Sequence, residues 1–460
     1  MENKNLEVFS KAPVPQAVLK NVIPAMVAML MVLIYNLADT FFIGQTRNDI
    51  LIAAVSLAMP VFLIFMAVGT VFGVGGTSVI SRAMGEGRLD YAKKVCSFCM
   101  WGCVIVGVIL MAVFLIFMDQ ILVLVGASPD TMGPAKTYLT IVTLGGVFVL
   151  ISSCYSNIIR AEGQAGKAMM GQLIGNLLNV ILDPIMILLF DWGIAGAAIA
   201  TVVGNLFGAV YYIYYILRGK SVLSISPKDF TVKNGVCSGV LAIGIPASLG
   251  SLLMSVSQIV VNSQMAKYGD MAVAGMGVAM KVTMMTAMIS LGLGQGVQPL
   301  LGYCVGAGAW ERFKKVFRFS TLFAFALSVV LTLLCYLFTG PMVKMFLEND
   351  AAYNYGVQFA RILLTTSFLF GVFNVLANAL QAMGAATAAL IVNLSRQGII
   401  YIPAVFILQA FLGITGLAWA QPVADVLSTL LVIALYVYTI RRMEPKTKAR
   451  ARTVEACQAV

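Results

Sequence analysis

Asp39 in YNLADTFFIG, Asp183 in GNLLNVILDP and Thr201 in GAAIATVVGN place oxygen-bearing side chains inside otherwise apolar runs. In the second run Asn176, Asn179 and Asp183 follow i, i+3, i+7 spacing, which sets two amides and a carboxylate along one helical stripe. Pro184 follows at once. A proline inside a helix leaves the carbonyl four residues back, here that of Val180, without its usual donor, creating a spare ligand or a hinge. Carboxylate, amide and hydroxyl oxygens bind a hard cation such as sodium, and a buried carboxylate next to another can hold a proton. Asp39, Asn179, Asp183 and Thr201 therefore suit either ion. Asn and Thr alone often do no more than tie membrane helices together. Two carboxylates at one depth exceed that need, because each ionised side chain in mid-span costs about 2.5 to 3.5 kcal/mol.

The elements that must position these groups are long apolar helices. Hydrophobic residues make up 60% of the 460 positions and charged residues 11%, the composition of an integral membrane protein. Runs of spanning length fall near 18–44, 51–81, 95–118, 136–158, 168–190, 194–217, 236–264, 271–301, 317–338, 357–380, 387–409 and 414–440. Asp39 and Asp183 lie late in spans that run outward and Thr201 early in one that runs inward, so all three share a level. The stretch before the first span holds Lys4, Lys11, Pro13 and Pro15 without a small-residue cleavage site, and no signal peptide is expected.

The chain is an internal duplication. GVGGTSVISRAMGEGRLDYAKKV from Gly73 returns 221 positions later as GQGVQPLLGYCVGAGAWERFKKV from Gly294, with Gly73, Gly75, Gly85, Gly87, Lys93, Lys94 and Val95 matched by Gly294, Gly296, Gly306, Gly308, Lys314, Lys315 and Val316. Elsewhere the register drifts by one, as in Ile23-Pro24 against Ile245-Pro246 and Ile194-Ala195-Gly196 against Ile414-Thr415-Gly416. Twelve spans in two sixes follow. The expected organisation is an N-terminal lobe over 1–218, a polar cytoplasmic linker over 219–235, a C-terminal lobe over 236–442 and a basic tail over 443–460. An even number of spans per repeat relates the lobes by a pseudo-two-fold axis along the membrane normal.

Of the 30 lysines and arginines, only Arg47, Lys136, Lys267 and Lys344 fall on loops opposite the termini, which puts both termini in the cytoplasm. The net charge of +11 sits in short inside loops and the tail, so anionic lipid rather than nucleic acid is the expected partner. With no histidine in the chain, Cys96, Cys99 and Cys103 read as packed free thiols rather than a zinc site, and serine-histidine hydrolysis is excluded. Neither aspartate has the Gly-x-Gly-Asp setting of an intramembrane aspartyl protease, and the turns at Gly85–Gly87 and Gly306–Gly308 lack P-loop spacing. Lys281 and Arg396 either face a cleft and set substrate charge or pair with Asp425. Met254, Met265, Met276, Met280, Met284, Met285 and Met288 crowd the seventh and eighth spans as general packing.

Asp39 in LADTFFIG, Arg160-Ala161-Glu162-Gly163 after the fourth span, Asn179-x-x-x-Asp183-Pro184 in the fifth, and Ser395-Arg396-Gln397 leading to Pro403 resemble the multidrug and toxic compound extrusion (MATE) family. The resemblance covers nearly the whole chain and is to its bacterial branch of DinF-type and MepA-type exporters. It implies a V-shaped pair of six-helix lobes, alternating access, and export of amphipathic, often cationic drugs against sodium ions or protons. It also implies no cofactor and a monomer in the bacterial inner membrane. On this resemblance Asp39, Asn179, Asp183 and Thr201 form the coupling-ion site, and Tyr35 and Asn157 line the drug cavity. Family members with acids in the seventh and tenth spans differ from this chain, which has Gln258 and no acid there. The alternative is a lipid-linked oligosaccharide flippase of the same superfamily, which would need a basic cavity for pyrophosphate.

Overall fold

The computed structural model describes residues 4–45, 49–218, 221–347 and 349–458. Arg47 and Lys220, used in the charge count, lie outside them, as does Gly219 at the start of the linker. All regular structure among the described residues is helical. We label the spans α1 (Val14–Gln45), α2 (Asp49–Gly85), α3 (Leu89–Ile116), α4 (Pro129–Leu144 with Gly146–Ala161), α5 (Ala165–Pro184, continued by a π turn Ile185–Leu189) and α6 (Gly193–Leu217). The second repeat supplies α7 (Val236–Met265), α8 (Asp270–Gly306), α9 (Trp310–Leu337), α10 (Asp350–Leu364 with Ser367–Ala382), α11 (Ala386–Leu394, a π turn Ser395–Ile399, then Tyr401–Leu412) and α12 (Ile414–Gln458). Helices form because hydrocarbon offers the backbone no other partners than its own.

Ten of these are long and apolar enough to cross a membrane. The bent pairs α4 and α10, at 53° and 45°, bring the number to 12, as the sequence implies. The bends are equivalent: Gly145 in α4 and Thr366 in α10 stand 221 residues apart. Each π turn adjoins a charged side chain in the span, since Asp183 precedes the first and Arg396 lies in the second.

By packing, the chain divides into one compact unit of residues 27–248 and another of 249–460 together with the first 26 residues. Thus α1 changes unit after Met26 and α7 after Ser248. The repeated glycines explain how. A methyl group on Gly75 of α2 would fall 2.1 Å from the carbonyl oxygen of Val240 in α7, and one on Gly244 of α7 would fall 2.0 Å from that of Val71. In the second repeat, methyls on Gly296 and Gly292 of α8 would meet the backbone of Val22 and Met26 in α1 at 2.7 Å. Each repeat thereby receives the first part of the other's leading helix, and Gly75 and Gly296 are the same repeat position. Gly75→Ala and Gly296→Ala are each expected to destabilise the protein by about 1–3 kcal/mol. The check is the unfolding temperature in detergent, with Gly133→Ala, where a methyl meets nothing within 4 Å, leaving it unchanged.

The α2–α3 and α8–α9 turns are set by Gly87 (φ 74°) and Gly308 (φ 66°), conformations that side chains disfavour. The polar segment after α6 is fastened to its own unit. Ser221 donates to the Glu162 carboxyl at 2.5 Å, Ser97 to the Ser226 carbonyl at 2.7 Å, Trp101 to the Ile225 carbonyl at 3.3 Å, and the Phe98 and Phe230 rings stack. Of its serines, Ser221 serves this docking, while the Ser224 and Ser226 hydroxyls bond Asp229 and the Lys228 amide within the segment.

Candidate functional site

The unit 27–248 brings Asp39, Asn179, Asp183 and Thr201 together from α1, α5 and α6. The α5–α6 pair comes close because two glycines face each other: a methyl on Gly204 would lie 2.6 Å from the Gly175 carbonyl oxygen, and one on Gly175 2.8 Å from that of Gly204. One turn further along α5, Asn179 then donates through Nδ2 to Thr201 Oγ1 at 3.3 Å. Asp183, Asn179 and Thr201 are 0%, 2% and 3% exposed, so the α5–α6 part of the site is buried, while Asp39 is half-buried. The stripe anticipated on α5 is present, and buried unpartnered atoms of Gln172 and Asn176 extend it beyond Asn179.

What remains unsatisfied defines the chemistry. Both Asp183 oxygens, Asp39 Oδ1 and Asn179 Oδ1 are buried and receive no hydrogen bond from the protein. All are acceptors. Asp183 lies within electrostatic range of Asp39, and among the described residues no lysine or arginine acts on either carboxylate. Two like charges and an amide oxygen without donors call for a bound proton or cation, since uncompensated buried charge is the costliest arrangement available.

Two tyrosines complete the cluster. Tyr35 of α1 and Tyr138 of α4 each lie within range of Asp39 and Asp183 and beside the Thr201 hydroxyl. Tyr35, expected from the resemblance as a drug contact, thus lies beside the two carboxylates. Tyr138 escaped the sequence reading, although the repeat holds its signal: the position 221 residues on is Phe359, so the hydroxyl exists in one repeat only. Asn157 is engaged differently. Its Nδ2 donates to the Ser153 carbonyl and abuts Gly73, where a methyl would lie 3.0 Å away. Asn378 repeats this, donating to the Asn374 carbonyl and abutting Gly294. The same amide-to-glycine contact thus recurs in both repeats.

The remaining candidates also have definite places. Arg396 pairs with Asp425 at 2.9 Å, and the Lys281 ammonium lies over the Phe346 ring at 5.3 Å. Met265 and Met276 are core residues, whereas Met254 and Met285 are exposed. Cys96, Cys99 and Cys103 are buried free thiols, Cys99 donating to the Phe72 carbonyl.

The sequence model of the MatE family matches residues 24–185 and, separately, 246–407. The chain belongs to the MATE family. Among its MATE relatives, the multidrug export protein MepA of Staphylococcus aureus is 32% identical over 441 residues, covering 96% of this chain and 97% of that protein. MepA of Staphylococcus saprophyticus is 30% identical over 447 residues with the same coverage. A multidrug resistance MATE transporter solved in an outward-facing conformation superposes with a TM-score of 0.90 at 23% identity, covering 97% of this chain and 99% of the other. A Pyrococcus furiosus transporter of the MOP superfamily, its binding pocket described as reversed in polarity, superposes at 0.88 with 23% identity over 96% and 98% of the two chains. These structural likenesses establish the MATE fold, and the protein is a multi-pass membrane protein.

Proposed function

We propose that the protein is a secondary exporter that expels amphipathic, often cationic drugs in exchange for a sodium ion or a proton bound at Asp39 and Asp183. The observation that carries this reading is the cluster of buried carboxylate and amide oxygens without donors on α1 and α5. Thr201 supplies a hydroxyl ligand, and Tyr35 and Tyr138 donate to whichever oxygen the ion leaves free. The named activity of the staphylococcal relatives, multidrug export, supports the substrate class.

Coupling acts through α1, which carries Asp39 and also Pro24, two residues before the helix changes unit at Met26. Proline removes a backbone hydrogen bond and gives a hinge there. Ion binding neutralises the carboxylates and favours one packing of α1, drug favours another, and each ligand therefore weakens the other. A potential of 100 mV supplies about 2.3 kcal/mol per charge moved, sufficient for a concentration ratio of roughly fifty. The protein works as a monomer in the bacterial inner membrane, termini inside, with its basic loops on anionic lipid.

The flippase alternative needs uncompensated cations for pyrophosphate. Arg396 is neutralised by Asp425, which weighs against it. Measuring drug flux in proteoliposomes at fixed pH with and without a sodium gradient, and at fixed sodium with and without a pH gradient, identifies the ion; flux indifferent to both rejects the reading. Tyr138→Phe, which removes one hydroxyl from the cluster, is expected to slow ion-driven flux about fivefold while leaving the yield of folded protein unchanged.

A further inference from the structure

The repeat that lacks Asp39 and Asp183 has a buried charge of its own on the corresponding pair of helices. In the register of Ile194-Ala195-Gly196 against Ile414-Thr415-Gly416, Thr201 of α6 corresponds to Gln421 of α12, and Asn205 to Asp425. α11, the counterpart of α5, carries Arg396 in its π turn. Where the first repeat leaves both oxygens of Asp183 without a donor, the second satisfies its carboxylate completely. Asp425 Oδ1 accepts from Arg396 Nε at 3.0 Å, from Arg396 Nη2 at 2.9 Å and from Gln421 Nε2 at 2.9 Å, and Oδ2 accepts from the Thr366 hydroxyl at 3.4 Å.

The cation is held on its faces as well as its edge. The Arg396 guanidinium lies 4.1 Å from the centroid of the Phe370 ring and 5.2 Å from that of Phe373. Aromatic faces attract a flat delocalised cation, and a carboxylate takes its edge. A carboxylate from α12 and two rings from α10 therefore surround one guanidinium, while the Gln421 amide and the Thr366 hydroxyl hold the carboxylate in place. The side chains of Arg396 and Asp425 are 14% and 9% exposed, so the place is enclosed but not sealed.

We propose that Asp425, Phe370 and Phe373, with Thr366 and Gln421 orienting the carboxylate, form a guanidinium-binding site which the chain fills with its own Arg396, a tethered cation in place of a diffusible one. The second repeat then keeps a membrane carboxylate without offering it to a coupling ion. That consequence for transport rests on the function proposed above; the binding site itself does not, and it is tested without any transport measurement.

The probe is free guanidinium, added at millimolar concentration to purified Arg396→Ala protein in detergent at constant ionic strength. The variant is expected to unfold several degrees below wild type and to recover a saturable part of that loss with guanidinium but not with equal sodium. Wild type, whose site is filled, and the double variant R396A/D425N, which has lost the carboxylate, should show no such recovery. Absence of guanidinium-specific recovery in Arg396→Ala, or equal recovery in all three proteins, overturns the proposal. Should Arg396→Ala fail to fold, the neutral pair R396Q/D425N decides: a higher yield of folded protein than Arg396→Gln or Asp425→Asn alone supports a mutual pair, and a yield no better than either single variant overturns it.

Discussion

Asp39→Asn and Asp183→Asn will each lower gradient-driven ethidium export by at least about tenfold, with normal amounts of folded protein in the membrane. The second half of that expectation separates the ion site from a structural role. Both Asp183 oxygens and Asp39 Oδ1 are buried without donors. A carboxylate that bound helices together would have donors, and its replacement would unfold the bundle. Here the amide keeps the shape, removes the repulsion between like charges, and leaves stability equal or higher. What it removes is the negative charge that a cation neutralises or the oxygen that a proton occupies. Undiminished export by both variants would sink the ion site, and loss of folded protein would assign the carboxylates to packing instead.

Stability will fall as pH rises from about 5 to about 8, and Glu162→Gln will remove the share of that fall due to Glu162. Glu162 lies just past the C-terminal end of α4, fully buried, accepting from the Tyr215 and Ser221 hydroxyls at 2.5 Å. Burial pushes its carboxyl up from 4.5 to about 7, the hydrogen bonds pulling the other way less strongly. A group whose folded value is raised contributes stability that is present below its unfolded value and lost as pH climbs through the folded one. The shift corresponds to about 3 kcal/mol, fully lost above pH 7. Glutamine mimics the protonated carboxyl, donating to one hydroxyl and accepting from the other, so the variant should be the more stable protein at pH 8 and show a shallower profile than wild type. Comparing detergent unfolding temperatures of the two proteins across that range isolates this one group. A wild type that gains stability with pH relative to the variant would contradict the assignment. Because Ser221 begins the fastened segment between repeats, the same titration should loosen that segment, visible as faster proteolysis between residues 221 and 230 at higher pH.

Much of this was legible in the sequence, for definite reasons. Spans show because lipid demands long apolar runs, and Asp39 and Asp183 show because charge is rare in them. The gathering of Asp39, Asp183 and Thr201 was legible as a shared depth on three spans, while the Asn179–Thr201 bond was not. Tyr138 was not, because a tyrosine in a membrane helix is unremarkable until Phe359 stands beside it in the repeat. The exchange of α1 and α7 was invisible because its cause, the approach of Gly75 to Val240 and of Gly296 to Val22, spans 165 and 274 positions and leaves no local pattern. Arg396 stood between two readings, facing a cleft or pairing with Asp425, and only the π turn of α11 and the facing surface of α12 resolve it to the pair. Asn157 was named only through the family resemblance, and its backbone bond is repeated by Asn378 in the other repeat.

The most direct test of ion exchange is to run it backwards. In proteoliposomes with no imposed ion gradient, an outwardly or inwardly directed drug gradient should drive an opposite movement of protons or sodium, read by an enclosed pH or sodium indicator. The movement should vanish with Asp183→Asn. Drug flux that leaves both indicators still, in wild-type protein that transports at full rate, would contradict antiport and with it the role assigned to the carboxylate pair.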